Sequence, residues 1–63
     1  MTLVKLSELK HGDVFLTDKS KLLVFGWRET DGTIIAYRYT DKYYTEVLKS
    51  HATVFKVSSI HVE

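Results

Sequence analysis

The sequence predicts an all-β domain: about five strands in one strongly bent antiparallel meander, with one short helical turn near the start. Three observations carry this. The stretch FGWRETDGTIIAYRY, residues 25–39, sets two apolar-rich arms on either side of an Asp-Gly, the strongest short-range hairpin signal a sequence offers. Residues 13–17 and 53–57 are short runs in which β-branched or aromatic residues recur, bounded by turn-forming Gly, Asp, Ser and Thr. The chain is also only 63 residues long, which limits it to a single small domain.

Size and composition narrow the range of functions. A chain of this length buries only about 60% of the surface its unfolded form exposes, so its core supplies roughly 3–5 kcal/mol of net stability. Cysteine is absent, which excludes disulfides and thiolate metal sites and fits a reducing, cytoplasmic setting. The net charge is +1, and acidic and basic residues alternate along the chain without blocks. A protein devoted to gripping nucleic acid usually shows a strongly basic domain, so this balance counts against that role. No apolar run approaches the roughly 18–20 residues needed to span a membrane, and the first residues, MTLVKL, are too short a stretch for a signal peptide. The expectation is a complete chain with no membrane partner.

The elements follow in order. Residues 7–10 read as one helical turn with Ser7 as its N-cap and Gly12 just past its end. A strand over 13–17 follows, then the turn Asp18-Lys19-Ser20-Lys21. The long strand that begins at Leu22 pairs with the one after Gly32. A two-residue loop of Asp31-Gly32 would mix apolar and charged groups on both faces. A three-residue loop, Thr30-Asp31-Gly32, sets Glu29 opposite Thr33 and places glycine where the backbone needs a positive φ. Trp27 then faces Ile35, Phe25 faces Tyr37 and Leu23 faces Tyr39. All six share one face, which is read as the core. An aromatic stripe of that kind is also the makeup of a base-stacking platform, but so small a domain has few other residues from which to build an interior.

Residues 41–50 carry two patterns. Tyr44, Val47 and Leu48 have helical spacing, whereas Tyr43, Tyr44, Thr45 and Val47 favour a strand. The strand is the reading taken, with Thr40-Asp41-Lys42 as a loop and Tyr43, Thr45 and Val47 continuing the aromatic face. Residues 53–57 form the last strand, with a kink at Ser58-Ser59 and an extension over 60–62.

The segment LSELKHGDVF, residues 6–15, resembles the opening of many small phage and bacterial SH3-like barrel proteins: a leucine, a leucine-lysine, a glycine-aspartate, then an apolar residue and an aromatic. Leu6, Leu9, Gly12, Asp13 and Phe15 match, which is about ten positions of loose motif. The resemblance implies a small five-stranded SH3-like barrel whose first leucines plug one end and whose Gly-Asp enters the first long strand. Such barrels bind peptides, nucleic acids or other domains, so the fold alone does not choose the partner.

No catalytic constellation is present. His11, His51 and His61 match no metal-ligand spacing, and the serines stand in turn-like positions without a partnering base. No metal, cofactor or enzyme activity is therefore expected. The other face of the hairpin is more informative, because it holds Leu22, Val24, Ile34 and Ala36 beside two arginines. Two readings fit it. In a strongly bent small barrel, parts of both faces are covered by the N-terminal segment or the C-terminal strand. Otherwise some of this face is a docking surface, in which Val24, Arg28, Ile34 and Arg38, with Tyr43 and Tyr44 nearby, have the composition of a protein interface. Together with the resemblance, this predicts a non-catalytic protein-binding module, of the kind by which a phage protein binds and modulates a larger host protein. A homodimer is a second use of the same patch. A small-barrel nucleic-acid-binding protein is the alternative class, with Trp27 and Tyr37 stacking bases and lysines gathered by the fold.

Overall fold

A computed structural model describes residues 2–59, with side chains through residue 57; the expected extension over 60–62 lies outside the described residues. These residues form six strands: β1 (Thr2–Lys5), β2 (Asp13–Leu16), β3 (Leu22–Arg28), β4 (Thr33–Arg38), β5 (Asp41–Lys49) and β6 (Thr53–Ser59). They make one open antiparallel sheet in the order β1-β6-β2-β3-β4-β5. The meander runs only from β2 to β5. The last strand returns to the far side and inserts between β1 and β2, so five strands become six and the serial order is broken. The sixth is β1, whose TLVK is too short to read as a strand alone. It forms because β6 offers a partner, with Leu3 opposite Phe55 and Val4 opposite Val54.

The helical turn is a 3-10 turn over Leu6–Glu8, one step earlier than expected, and the residue before it, Lys5, makes no side-chain cap. Ser7 is inside the turn and its N–H donates to the Ser50 carbonyl, while the Leu6 N–H donates to the Ala52 carbonyl. These bonds tie the N-terminal segment to the β5–β6 connection and drive Leu6 and Leu9 into the core. The chain then turns at Lys10–Asp13. Asp13 closes this turn from both sides: its N–H donates to the Lys10 carbonyl, and its carboxylate accepts the Lys10 N–H at 2.9 Å. Gly12 sits between them at φ 92°, which a Cβ would make costly.

The hairpin closes as expected. The Glu29 N–H donates to the Thr33 carbonyl, the Gly32 N–H to the Glu29 carbonyl, and Gly32 stands at φ 89°. Trp27 pairs with Ile35, also as expected. Beyond that point the straight register fails. Gly26 is an extra residue in β3, a β-bulge, and past it Phe25 pairs with Ala36 and Leu23 with Arg38. One inserted residue exchanges the two faces of a strand. Phe25 and Trp27 therefore point to opposite sides, at 3% and 45% exposure. The single six-residue core face does not exist. Leu23 and Phe25 go inward and Trp27, Ile35 and Tyr37 go outward. Ile34 and Ala36, expected outside, are fully buried.

The core is thus built from both halves of the chain: Leu6, Leu9, Phe15, Leu23, Phe25, Ile34, Ala36 and Val54, with Val4 and Leu48 packed against it. Residues 41–49 are strand, and the loop before them is Tyr39-Thr40 rather than residues 40–42. A second register shift, between Tyr37 and Arg38, leaves extra residues in the first part of β5. A third lies between Val14 and Phe15, where β6 spends an extra residue at Val57, just ahead of the serine pair expected to kink.

Candidate functional site: an aromatic outer face

The Gly26 bulge is what makes the outer face. Its two neighbouring carbonyls, turned out of the ladder to β4, are taken up from the other side. The Gly12 N–H donates to the Phe25 carbonyl at 3.0 Å. The Gly26 carbonyl lies 2.7 Å from His11 Nδ1, and because a carbonyl can only accept, this nitrogen carries the proton. The turn at residues 10–13 therefore locks the bulge, and the bulge aims Trp27 outward. Gly26 also lets Tyr37 approach. A Cβ at this position would meet the Ile35 carbonyl oxygen at 2.6 Å and the Tyr37 ring at 3.1 Å.

Tyr37 consequently lies close to Trp27, ring centres 5.9 Å apart and planes at 64°, an edge-to-face pair. The indole N–H donates to the Glu29 carboxylate, which fixes the ring's orientation. Cross-strand pairing carries the surface further: Trp27 to Ile35 to Val47, and Val24 to Tyr37 to Thr45. So Thr45 and Val47 do continue the Trp27, Ile35 and Tyr37 face, as expected, but that face is turned to solvent. Val47 is 67% exposed and Tyr43 87%. Beside it lies a depression of about 490 Å³ lined by His11, Gly12, Val24, Tyr37, Lys42 and Tyr43.

The six residues expected to meet a partner are not brought together. Val24 and Tyr43 lie on this outer face. Ile34 is 0% exposed and cannot reach a partner. Arg28 belongs to the opposite, concave side, where its guanidinium lies 5.4 Å from the Phe25 ring centre and donates to the Ser7 carbonyl at 2.8 Å, covering one end of the core. Arg38 and Tyr44 stand at the other end of that side. Arg38 stacks over Tyr44 at 5.1 Å and pairs with Glu46 at 3.7 Å, and Glu46 also takes Lys21 at 3.3 Å. The two arginines thus cover the core's ends, and the bulge, which exchanges the faces, is why. Trp27, Ile35 and Val47 are the surface residues that straight-strand reasoning misses. The signal that finds them is a lone glycine inside a strand pattern, which marks a bulge or a close backbone approach.

Among the described residues no three His, Asp or Glu side chains converge to hold a metal ion, and no helix is long and apolar enough to cross a membrane. Asp31 in the hairpin loop has a shifted carboxyl. The Thr33 N–H and hydroxyl donate to its carboxylate, at 3.0 and 2.7 Å, and hold its pKa below the usual 3.8. Fold and surface together define a small all-β domain with a one-sided aromatic face. Comparison with protein-family models, curated proteins and solved structures finds no match.

Proposed function

We propose that this chain is a non-catalytic protein-binding module that presents the outer face of β3, β4 and β5 to a larger protein. The observation that carries this reading is the row in which exposed Trp27, Val47 and Tyr43 are joined by half-buried Ile35 and Tyr37. Aromatic residues ringed by aliphatics, with few charges at the centre, are the makeup of the anchors that dominate protein interfaces. The face is also preorganised, because the edge-to-face pair and the Glu29 bond hold Trp27 before any partner arrives.

The strand order from β6 through β2, β3, β4 and β5, with Leu6 and Leu9 under one end, supports a small SH3-like barrel as the finer description of the fold. With the resemblance of residues 6–15, it supports a cytoplasmic phage-type protein that inhibits or redirects a host protein. Nucleic acid is the second reading, because Trp27, Tyr37 and Tyr43 would suit base stacking. It is the weaker one: Lys42 is the cation at the depression, while Lys21 and Arg38 are engaged by Glu46 on the other side.

The test uses the wild-type chain and Val47→Asp, a change at an exposed position, as paired baits in cell extract. A protein recovered by the first and lost by the second is expected; identical recoveries overturn the reading. In parallel, the fluorescence of Trp27, the chain's single tryptophan, is titrated with single-stranded oligonucleotide at low salt. Quenching that fades steeply as salt rises moves the assignment to nucleic acid.

A further inference from the structure

We propose that the depression beside the Trp27–Tyr37 pair seats an acidic peptide segment of the partner protein, one in which a carboxylate and an aromatic ring stand side by side. The inference rests on the reading of the outer face as a protein-binding surface and names the chemistry of what that surface takes.

Two irregularities of the sheet meet at this depression. On the β3 side, the turn that locks the Gly26 bulge brings His11 and Gly12 to the lining. On the β5 side, Tyr37 pairs with Thr45 but Arg38 pairs with Asp41. Lys42, Tyr43 and Tyr44 are thus three extra residues opposite a single step of β4. Insertions of this kind re-aim side chains and are over-represented beside functional sites. Here they bring Lys42 and Tyr43 to the same depression as the cross-strand pair Val24 and Tyr37.

The lining is chemically one-sided. Val24 and the rings of Tyr37 and Tyr43 offer apolar surface, Lys42 carries a fixed positive charge, and no carboxylate is among the lining residues. Among the described residues Lys42 takes part in no ion pair. The neighbouring acid, Asp41, accepts the Tyr43 N–H at 3.0 Å. The Lys42 ammonium is therefore open to an incoming anion. His11 adds a hydrogen-bonding group of the other sense. Its Nδ1–H donates to the Gly26 carbonyl at 2.7 Å, so in the neutral ring Nε2 is an acceptor, and it has no partner among the described residues.

This set of groups selects among ligands. An acidic peptide offers a complement to each: a carboxylate for Lys42, a ring for the tyrosines and a backbone N–H for His11. A nucleic-acid strand offers phosphates, whose binding draws on several cations rather than one, and a phosphodiester has no donor for His11. A small aromatic acid fits the volume of about 490 Å³. Sites for such molecules enclose most of the ligand, whereas Tyr43, 87% exposed, leaves this one open. A peptide is covered by the protein that carries it and runs on over the exposed Trp27 and Val47. A short peptide alone binds weakly, with a Kd of about 1–10 mM.

The test is an NMR titration of the wild-type chain, read at the Gly12, Val24, Lys42 and Tyr43 amides. The probes are blocked Glu-Phe-Glu peptide, its Gln-Phe-Gln counterpart, hydrocinnamate and oligothymidylate. The acidic peptide should shift these amides and bind about 2- to 5-fold more tightly than the neutral one, the effect of an exposed ion pair. Lys42→Gln should bring the acidic peptide to the affinity of the neutral one and leave the neutral one unchanged. Equal affinities for the two peptides, or an equal loss of both in Lys42→Gln, overturn the proposal. So does hydrocinnamate binding as tightly as the acidic peptide, which makes the depression a small-molecule site. Oligothymidylate binding more tightly than the peptide, with steep salt dependence, moves it to nucleic acid and overturns the proposal too. The titration needs no partner. If the wild-type bait recovers a protein that Val47→Asp loses while the depression is blind to peptide charge, the interface stands and this inference alone falls.

Discussion

Replacing Gly26 by alanine adds one methyl group and tests the device that turns Trp27 outward. That carbon would sit 2.6 Å from the Ile35 carbonyl oxygen, far inside ordinary contact, and 3.1 Å from the Tyr37 ring. The ring can yield. The carbonyl cannot, because it is part of the backbone of β4, held between two neighbouring strands. Relief therefore requires β3 and β4 to separate locally, an overpacking cost of about 1–3 kcal/mol. Against a total of roughly 3–5 kcal/mol for a chain this size, this is a large fraction. Each kcal/mol shifts Tm by about 4–8 °C in a domain of this length, so Gly26→Ala should lower Tm by ~8–16 °C for a mid-range cost. Thermal unfolding followed by far-ultraviolet circular dichroism measures it. Gly32→Ala is the matched comparison: nothing lies within 4 Å of its new carbon, and its cost is the left-handed backbone at φ 89° alone, about 1 kcal/mol. Gly26→Ala with a Tm within about 2 °C of the wild type, or a loss no greater than that of Gly32→Ala, would refute the bulge and with it the outward placement of Trp27.

Phe15 is fully buried at the centre of the sheet. Its replacement by alanine should cost about 3–5 kcal/mol, comparable to the whole stability, and leave the chain unfolded at 25 °C by one-dimensional NMR. Arg28→Ala should cost about 0.5–1.5 kcal/mol, read from urea midpoints, by removing the bond to Ser7 and the stacking on Phe25. The Asp31 carboxyl should titrate below 3.8 by NMR, and Thr33→Val, which deletes the hydroxyl donor, should move it part of the way back up. Because the folded pKa is the depressed one, any stability from this loop is present above the unfolded pKa and fades as pH falls through the folded value. A titration at or above 3.8 in the wild type would contradict the loop geometry.

The sequence by itself determined what is local. Asp31-Gly32 sets the hairpin loop because only glycine accepts the positive φ there without strain, and Glu29 meets Thr33 as a direct consequence. β-propensity settles residues 41–49 as a strand against a competing helical spacing. The hairpin pattern also marks Leu23 and Phe25 as interior, and the resemblance of residues 6–15 points to Leu6 and Leu9 as buried, as they are. Only the tertiary structure decided which face of the hairpin is the inside. Gly26 is equally acceptable to the local backbone in a straight strand or a bulged one. The choice is made by partners distant in the chain, the Gly12 amide and the His11 ring on the freed carbonyls and Tyr37 over the missing side chain. The strand over residues 2–5 and the return of β6 between β1 and β2 depend in the same way on pairings some fifty residues apart. One extra residue inverts everything beyond it because side chains alternate with a period of two. A surface on this chain therefore cannot be read until the contacts that place the bulge are known.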